Sequence, residues 1–254
     1  MTKKKVFIAT DSRGRDLQPF LASHFSQQQL SIQVDVCPGA TLEQLVNVIK
    51  AKTDDSHDLI ILSGGICNLT TKTKGKGIKS LTYHRNEDNI SKIKDLVTTT
   101  QGTFGNRLSI ATIPPASLLK FFQYHNKSLD PPEYLTEQQR DLLQDTEEVN
   151  QYITTLSKAA NIRTIDLHKQ VFNNVLDPKK KNKHSCEKRR RVFLEKLLTD
   201  GVHANTTLKQ KWFKRYAQSI GDWLSHASSS DTETDGGEAW DYKRHDPKPS
   251  TSRQ

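Results

Sequence analysis

Three residues near the two ends of the chain have the types that acyl-transfer chemistry requires. Asp11-Ser12 follows an apolar run, Lys4 to Ala9, at once, in a turn containing Gly14. A serine hydroxyl is a poor nucleophile until a base takes its proton and nearby donors hold the oxyanion that forms. Asp200-Gly201-Val202-His203 offers a carboxylate and an imidazole three residues apart. In a tight turn that spacing points both groups the same way, so the carboxylate can fix the imidazole tautomer and steady the imidazolium. Taken singly, a serine in a strand-end turn is an ordinary turn former or helix cap, and Asp-x-x-His arises readily by chance. Their combination is what points to Ser12 as nucleophile, His203 as general base and Asp200 as its orienting partner.

Such a constellation needs elements that bring remote residues together. Apolar runs at Lys4 to Ala9, Ser31 to Val36, Asp58 to Leu62, Arg107 to Ile113 and Ile162 to Leu167 predict five strands. Between them, apolar residues at helical spacing predict helices: Leu17 to Phe25, a face of Leu42, Leu45, Val46 and Ile49 capped by Thr41, a face of Ile90, Ile93, Leu96 and Val97, and a long helix from about Thr136 to Ala160. A last amphipathic helix, roughly Thr207 to Leu224, carries Leu208, Trp212, Phe213, Tyr216, Ile220 and Trp223. The alternation predicts an α/β protein, a three-layer α/β/α sandwich around a mostly parallel five-stranded sheet. In such sheets chemistry gathers beyond the carboxyl ends of the strands, where Ser12, Gly39, Gly65 to Asn68 and Pro114 all fall.

Composition narrows the setting. The chain has 254 residues with a formal net charge of +9, and a mean hydropathy of −0.71. No apolar run approaches the roughly 20 residues of a membrane-spanning helix, and the short run after Met1-Thr2-Lys3-Lys4-Lys5 reads as a strand, not a signal peptide. Three cysteines without a C-x-x-C pair argue against a disulfide framework and for an intracellular protein, cytoplasmic or nuclear. The polar segment 227–254 holds six acidic and four basic residues and is expected to be a disordered tail, which leaves +11 on the body, 1–226. Within that body, Lys179-Lys180-Lys181, Lys183 and Lys188-Arg189-Arg190-Arg191 form a basic insertion, about 178–192. Its readings are a solvated charge run, a nuclear-localisation signal, a nucleic-acid or polyanion contact, or a patch steering an anionic substrate.

Four segments together resemble the SGNH (GDSL-type) hydrolase superfamily. Thr10-Asp11-Ser12 resembles its first block, usually Gly-Asp-Ser, and Pro38-Gly39-Ala40-Thr41 its second. Gly65-Ile66-Cys67-Asn68 resembles the third, ordinarily Gly-x-Asn-Asp, and Asp200-Gly201-Val202-His203 matches the last. Asn150, read as opening a helix ahead of the fifth strand, is also similar to family members. The resemblance implies a flavodoxin-like layered fold and a catalytic Ser12, Asp200 and His203. It also implies an oxyanion hole from the amides of Ser12 and Gly39 with a side chain of the third block, and no cofactor. Aligned on Gly65, Cys67 takes the place of the oxyanion asparagine. A one-residue shift puts Asn68 there instead, and Asn68 is the favoured reading.

Other motifs carry less. Gly75 to Ser80 lacks phosphate-loop spacing and reads as a solvated loop, there is no G-x-S-x-G, and no Cys/His cluster suggests a metal. Two functions follow as expectations. One is a serine esterase or deacylase working on a carboxylic ester through an acyl-Ser12 intermediate. The other is a catalytically weakened module of the same fold that binds nucleic acid or another polyanion through its basic surface.

Overall fold

The computed structural model describes residues 3–75, 77–176 and 189–230. Five strands, β1 (Lys4–Thr10), β2 (Leu30–Val36), β3 (Leu59–Ser63), β6 (Leu108–Ala111) and β7 (Arg163–Ile165), form one sheet in the order β2-β1-β3-β6-β7, with every neighbouring pair parallel. Two short antiparallel ribbons stand apart from it: β4 (Thr71–Gly75) with β5 (Ile78–Thr82), and β8 (Phe172–Leu176) with β9 (Arg189–Phe193).

The central strands read as continuous apolar runs because both faces are covered. All five residues of β3 are buried. On one face Phe7, Ala9, Ile60, Leu62, Leu108 and Ile110 share a core with α2 (Leu42–Lys52), α4 (Glu87–Phe104) and α6 (Tyr134–Ala159). These helices contribute Leu45 and Ile49, Ile90 and Ile93, and Leu142, Val149 and Ile153. The opposite face is closed by α1 (Leu17–His24) and α7 (Thr206–Ser230), where Phe20 meets Phe213 and Tyr216 bonds Ser63. The expected α/β/α layering is therefore present.

The chain leaves β1 toward β2 on one side and returns to β3 on the other. Such a reversal opens a crevice beyond the carboxyl ends of the two central strands, the usual ligand position in open parallel sheets. Ser12 and Gly64-Gly65 stand there.

Several expectations change. Gly75 to Ser80, read as a solvated loop, falls within the β4–β5 hairpin. Part of the basic insertion forms the β8–β9 ribbon, while Lys179 to Lys188 lies outside the described residues. A further helix, α5 (Leu118–His125), occupies the segment before Pro131-Pro132, where none was predicted. Ser117 caps it by accepting from the Lys120 amide. Asn150 lies in the middle of α6, not at its start, and its carboxamide clamps both the amide and the carbonyl of Ile113.

Contacts divide the chain after Ser219, within α7. The unit up to Ser219 holds the sheets and all the residues considered below. The described part of the second unit is the remainder of that helix, through Ser230, so helix continues past the expected tail boundary at 227, and 231–254 lie outside the described residues.

Candidate active site

The turn after β1 is built from local polar contacts. Asp11 caps a 3-10 turn, Ser12–Gly14, by accepting from the Arg13 amide at 2.9 Å, and its own amide donates to the Ser63 carbonyl at 3.3 Å. The exits of β1 and β3 are thus joined. A Cβ on Gly14 would lie 2.1 Å from Thr10 Cγ2, so threonine fits at the end of β1 because residue 14 is glycine.

Arg13 turns inward. Its Nη1 donates to the Pro114 carbonyl at 2.6 Å, tying the Ser12 turn to the exit of β6. Burial lowers its pKa, against the opposing fields of Asp11, Cys67 and Asp200, yet a guanidinium remains charged under any ordinary condition. It is a half-buried cation next to Ser12 in the chain, tied to the exit of β6. Nothing in the sequence marked it, since an arginine in a turn is ordinarily solvated.

The second half of the site rests on α5. The Ser117 amide donates to the Gly201 carbonyl at 2.7 Å. Gly201 has φ +86°, and a Cβ there would lie 2.4 Å from the Ser117 carbonyl oxygen and 2.5 Å from the Phe121 nitrogen. The loop can lie this close only with glycine. Asp200 Oδ1 accepts the amides of Val202 and His203 at 3.0 and 2.8 Å, closing the turn, and its Oδ2 lies 2.7 Å from His203 Nδ1. Burial by itself would raise the Asp200 pKa. The hydrogen bonds from the His203 ring and from the two amides outweigh it and hold the carboxyl well below the usual carboxylate range.

The two halves meet. Ser12 Oγ lies 2.9 Å from His203 Nε2, across 191 residues of sequence. An ionised Asp200 accepts a hydrogen bond from Nδ1–H, which keeps the proton on Nδ1 and leaves Nε2 as the acceptor facing the serine hydroxyl. The His203 side chain is 37% exposed, so the pair opens to solvent. Ser12, His203 and Asp200 are therefore brought together in the order that proton removal from a serine requires.

The remaining predicted residues divide. Gly39 has φ +77° and sits in the turn Cys37–Ala40 beyond β2, joined to β1 by the Cys37 amide donating to the Thr10 carbonyl at 2.8 Å. Among the described residues, neither the Gly39 nor the Ser12 amide is spent on a hydrogen bond. Asn68 is bound at the edge of this group. Its Oδ1 accepts from the Leu42 amide at 2.8 Å and its Nδ2 donates to Glu43 at 2.8 Å, so its carboxamide is held on the first turn of α2. Cys67 is the residue within the fields of Asp11 and Arg13, the neighbours of Ser12, and burial raises its thiol pKa. Among the described residues, no group of three or more His, Cys, Asp or Glu side chains is arranged to hold a metal ion.

Solved structures resemble this fold. An acetyl xylan esterase superposes with a TM-score of 0.54 at 15% identity, over 85% of this chain and 99% of its own. A GDSL-like lipase from Bacteroides thetaiotaomicron gives 0.51 at 13% identity, over 89% of each chain. A member of the lipolytic G-D-S-L family from Veillonella parvula gives 0.51 at 12% identity, over 87% of this chain and 98% of its own. The chain has the GDSL-type, or SGNH, hydrolase fold. At the level of sequence, no family model and no curated protein matches it. The GDSL-type fold is thus kept at identities where only a few short blocks still align. No described helix is long and apolar enough to cross a membrane.

Proposed function

We propose that this protein is a serine esterase or deacylase that hydrolyses a carboxylic ester through an acyl-Ser12 intermediate. The observation that carries the reading is the hydrogen-bonded series Ser12 Oγ, His203 Nε2, His203 Nδ1, Asp200 Oδ2, at 2.9 and 2.7 Å. His203 takes the hydroxyl proton as Ser12 attacks the ester carbonyl, then returns it to the departing alcohol. Water, deprotonated by the same imidazole, releases the acid and restores Ser12. Asp200 stays ionised and steadies the imidazolium formed at each stage.

The unspent amides of Ser12 and Gly39 are the oxyanion donors in this reading. The third donor is weak, because a thiol at Cys67 donates poorly. Loss of one donor typically costs about 100- to 1,000-fold in rate, so turnover is slow. The two described cysteines, Cys37 and Cys67, are free thiols, which accords with an intracellular setting.

Labelling of Ser12 by a fluorophosphonate tests the reading. Wild type reacts, and Ser12→Ala and His203→Ala do not. Hydrolysis of p-nitrophenyl acetate at equal rates by wild type and Ser12→Ala sinks it. Cys67 and the +11 body favour a second reading, a module of this fold that holds nucleic acid or another polyanion. Salt-dependent retention on immobilised nucleic acid, lost when Lys179 to Arg191 is neutralised, supports that reading. Retention that survives neutralisation removes it.

A further inference from the structure

We propose that the β4–β5 hairpin is an anion subsite of the active site, in which Lys72, Lys74 and Lys79 hold a phosphate group carried by the ester substrate. This rests on the reading of Ser12 as an esterase nucleophile and names the class of ester it takes.

The hairpin's position is the first reason. It begins two residues after α3 (Ile66–Leu69), the short helix that bears Cys67. Its second strand is clamped to α5, because the Asn126 carboxamide accepts from the Lys79 amide at 3.0 Å and donates to the Lys79 carbonyl at 2.7 Å. The same α5 supports the Asp200-to-His203 loop through Ser117 and Gly201. One end of the hairpin thus follows the third block directly, and the other is held at the C-terminal end of α5, the helix whose N-terminal end supports the last block.

Its charge is the second reason. Lys74 and Lys79 are directly opposite in the antiparallel register, and Lys72, two residues along, shares their face. Like charges placed directly across a ribbon destabilise it. Among the described residues, no carboxylate lies within ion-pairing distance of any of the three to offset that repulsion. Every residue of β4 is exposed. Lysine on an edge strand commonly serves to discourage pairing with another chain. That accounts for lysines on the outer strand, but not for Lys79 set opposite Lys74 on the strand docked to α5.

The charges of the hairpin act at His125, a group that also feels Asp200. Burial lowers the His125 pKa, and the charges of Lys79 and Lys72 lower it further while Asp200 opposes them. Lys72 also acts on the Cys67 thiol. A dianionic phosphate at this face gains two or three ammonium partners at once. A neutral acyl chain gains none.

The test uses the full-length protein and two phenyl acetates that differ only at the para position, one bearing a phosphate monoester and the other a methoxy group. The expected result is that wild type prefers the phosphorylated ester in kcat/KM by about tenfold at low salt, and that the preference disappears in Lys72→Gln/Lys79→Gln. Lys214→Gln, on an exposed face of α7, controls for net charge, and an equal loss in that variant overturns the subsite. A binding arm is independent of turnover: inorganic phosphate raises the His125 titration midpoint in wild type, read by NMR, and not in the double variant. A wild type with no preference overturns the substrate class. A His125 midpoint indifferent to phosphate overturns the subsite itself. If neither ester is hydrolysed yet phosphate still moves His125, the esterase reading has failed and the anion site stands.

Discussion

The Gly201 carbonyl accepts from the Ser117 amide at 2.7 Å, and the space a Cβ would need at Gly201 is already filled by the backbone of Ser117 and Phe121. The loop bearing Asp200 and His203 is thereby pressed onto the first turn of α5, and the imidazole is brought to Ser12. Gly201→Ala is expected to cost about 1–3 kcal/mol of stability, through strain at positive φ and displacement of the loop. It should also reduce ester hydrolysis by at least about 100-fold, since a shift of roughly 1 Å in a reacting group has that effect. Urea unfolding and p-nitrophenyl acetate turnover measure the two effects.

Asp200→Asn should leave the fold intact while lowering kcat by about 1,000- to 10,000-fold, because an amide no longer selects the tautomer with Nε2 free. Comparing kcat with fluorophosphonate labelling rate checks this, and both should fall together.

Cys67→Asn should raise kcat by about 10- to 100-fold, because it puts a carboxamide donor where the thiol stands. Asn68→Ala should act differently. It removes the acceptor for the Leu42 amide and costs about 0.5–2 kcal/mol in stability, as loss of a helix cap does, with kcat little changed. A fall in kcat for Asn68→Ala without loss of stability would reverse the assignment of these two residues.

Arg13→Met should destabilise the protein by about 3 kcal/mol, because it breaks the bond to the Pro114 carbonyl and leaves Asp11 buried without its neighbouring cation. Arg13→Lys should recover only part of this, since an ammonium lacks the planar fork. Thermal unfolding of the two variants gives the ordering.

Stability should fall in mild acid through His168. This imidazole is 3% exposed, and Arg191 donates toward its Nδ1 at 3.1 Å. Burial, and behind it the Arg191 charge, pushes its pKa down to about 4 from 6.5, against the pull of Glu147. Its neutral form is the folded one, so between these values the unfolded chain binds the extra proton. The stabilisation is complete above about pH 6.5 and is lost as pH falls toward 4, by at most roughly 3 kcal/mol. Denaturant midpoints at pH 7.5 and pH 5 should differ in wild type and converge in His168→Gln.

The sheet was legible in advance because each strand carries its own signal. Apolar runs such as Leu59 to Leu62 are broken by glycine or proline at the point where the chain must turn. Ser12 and the Asp200-to-His203 block were legible because they fall at such breaks. The two ribbons and α5 were not, since polar and basic residues interrupt the short strands of the ribbons, and α5 stands between two proline pairs in a stretch that reads as loop.

Local pattern alone settled the strands of the central sheet, the longer helices that cover it and which turns lie beyond the carboxyl ends of its strands, because burial on one face or both imposes its period on neighbouring residues. It could not show the Asn68 carboxamide held on α2, nor reveal Arg13 bound to the Pro114 carbonyl or Ser117 to Gly201. Those depend on backbone groups far along the chain, the Leu42 amide, the Pro114 carbonyl and the Ser117 amide. Every residue has such groups, so residue type cannot signal them. Only packing selects which of them a side chain or loop will meet.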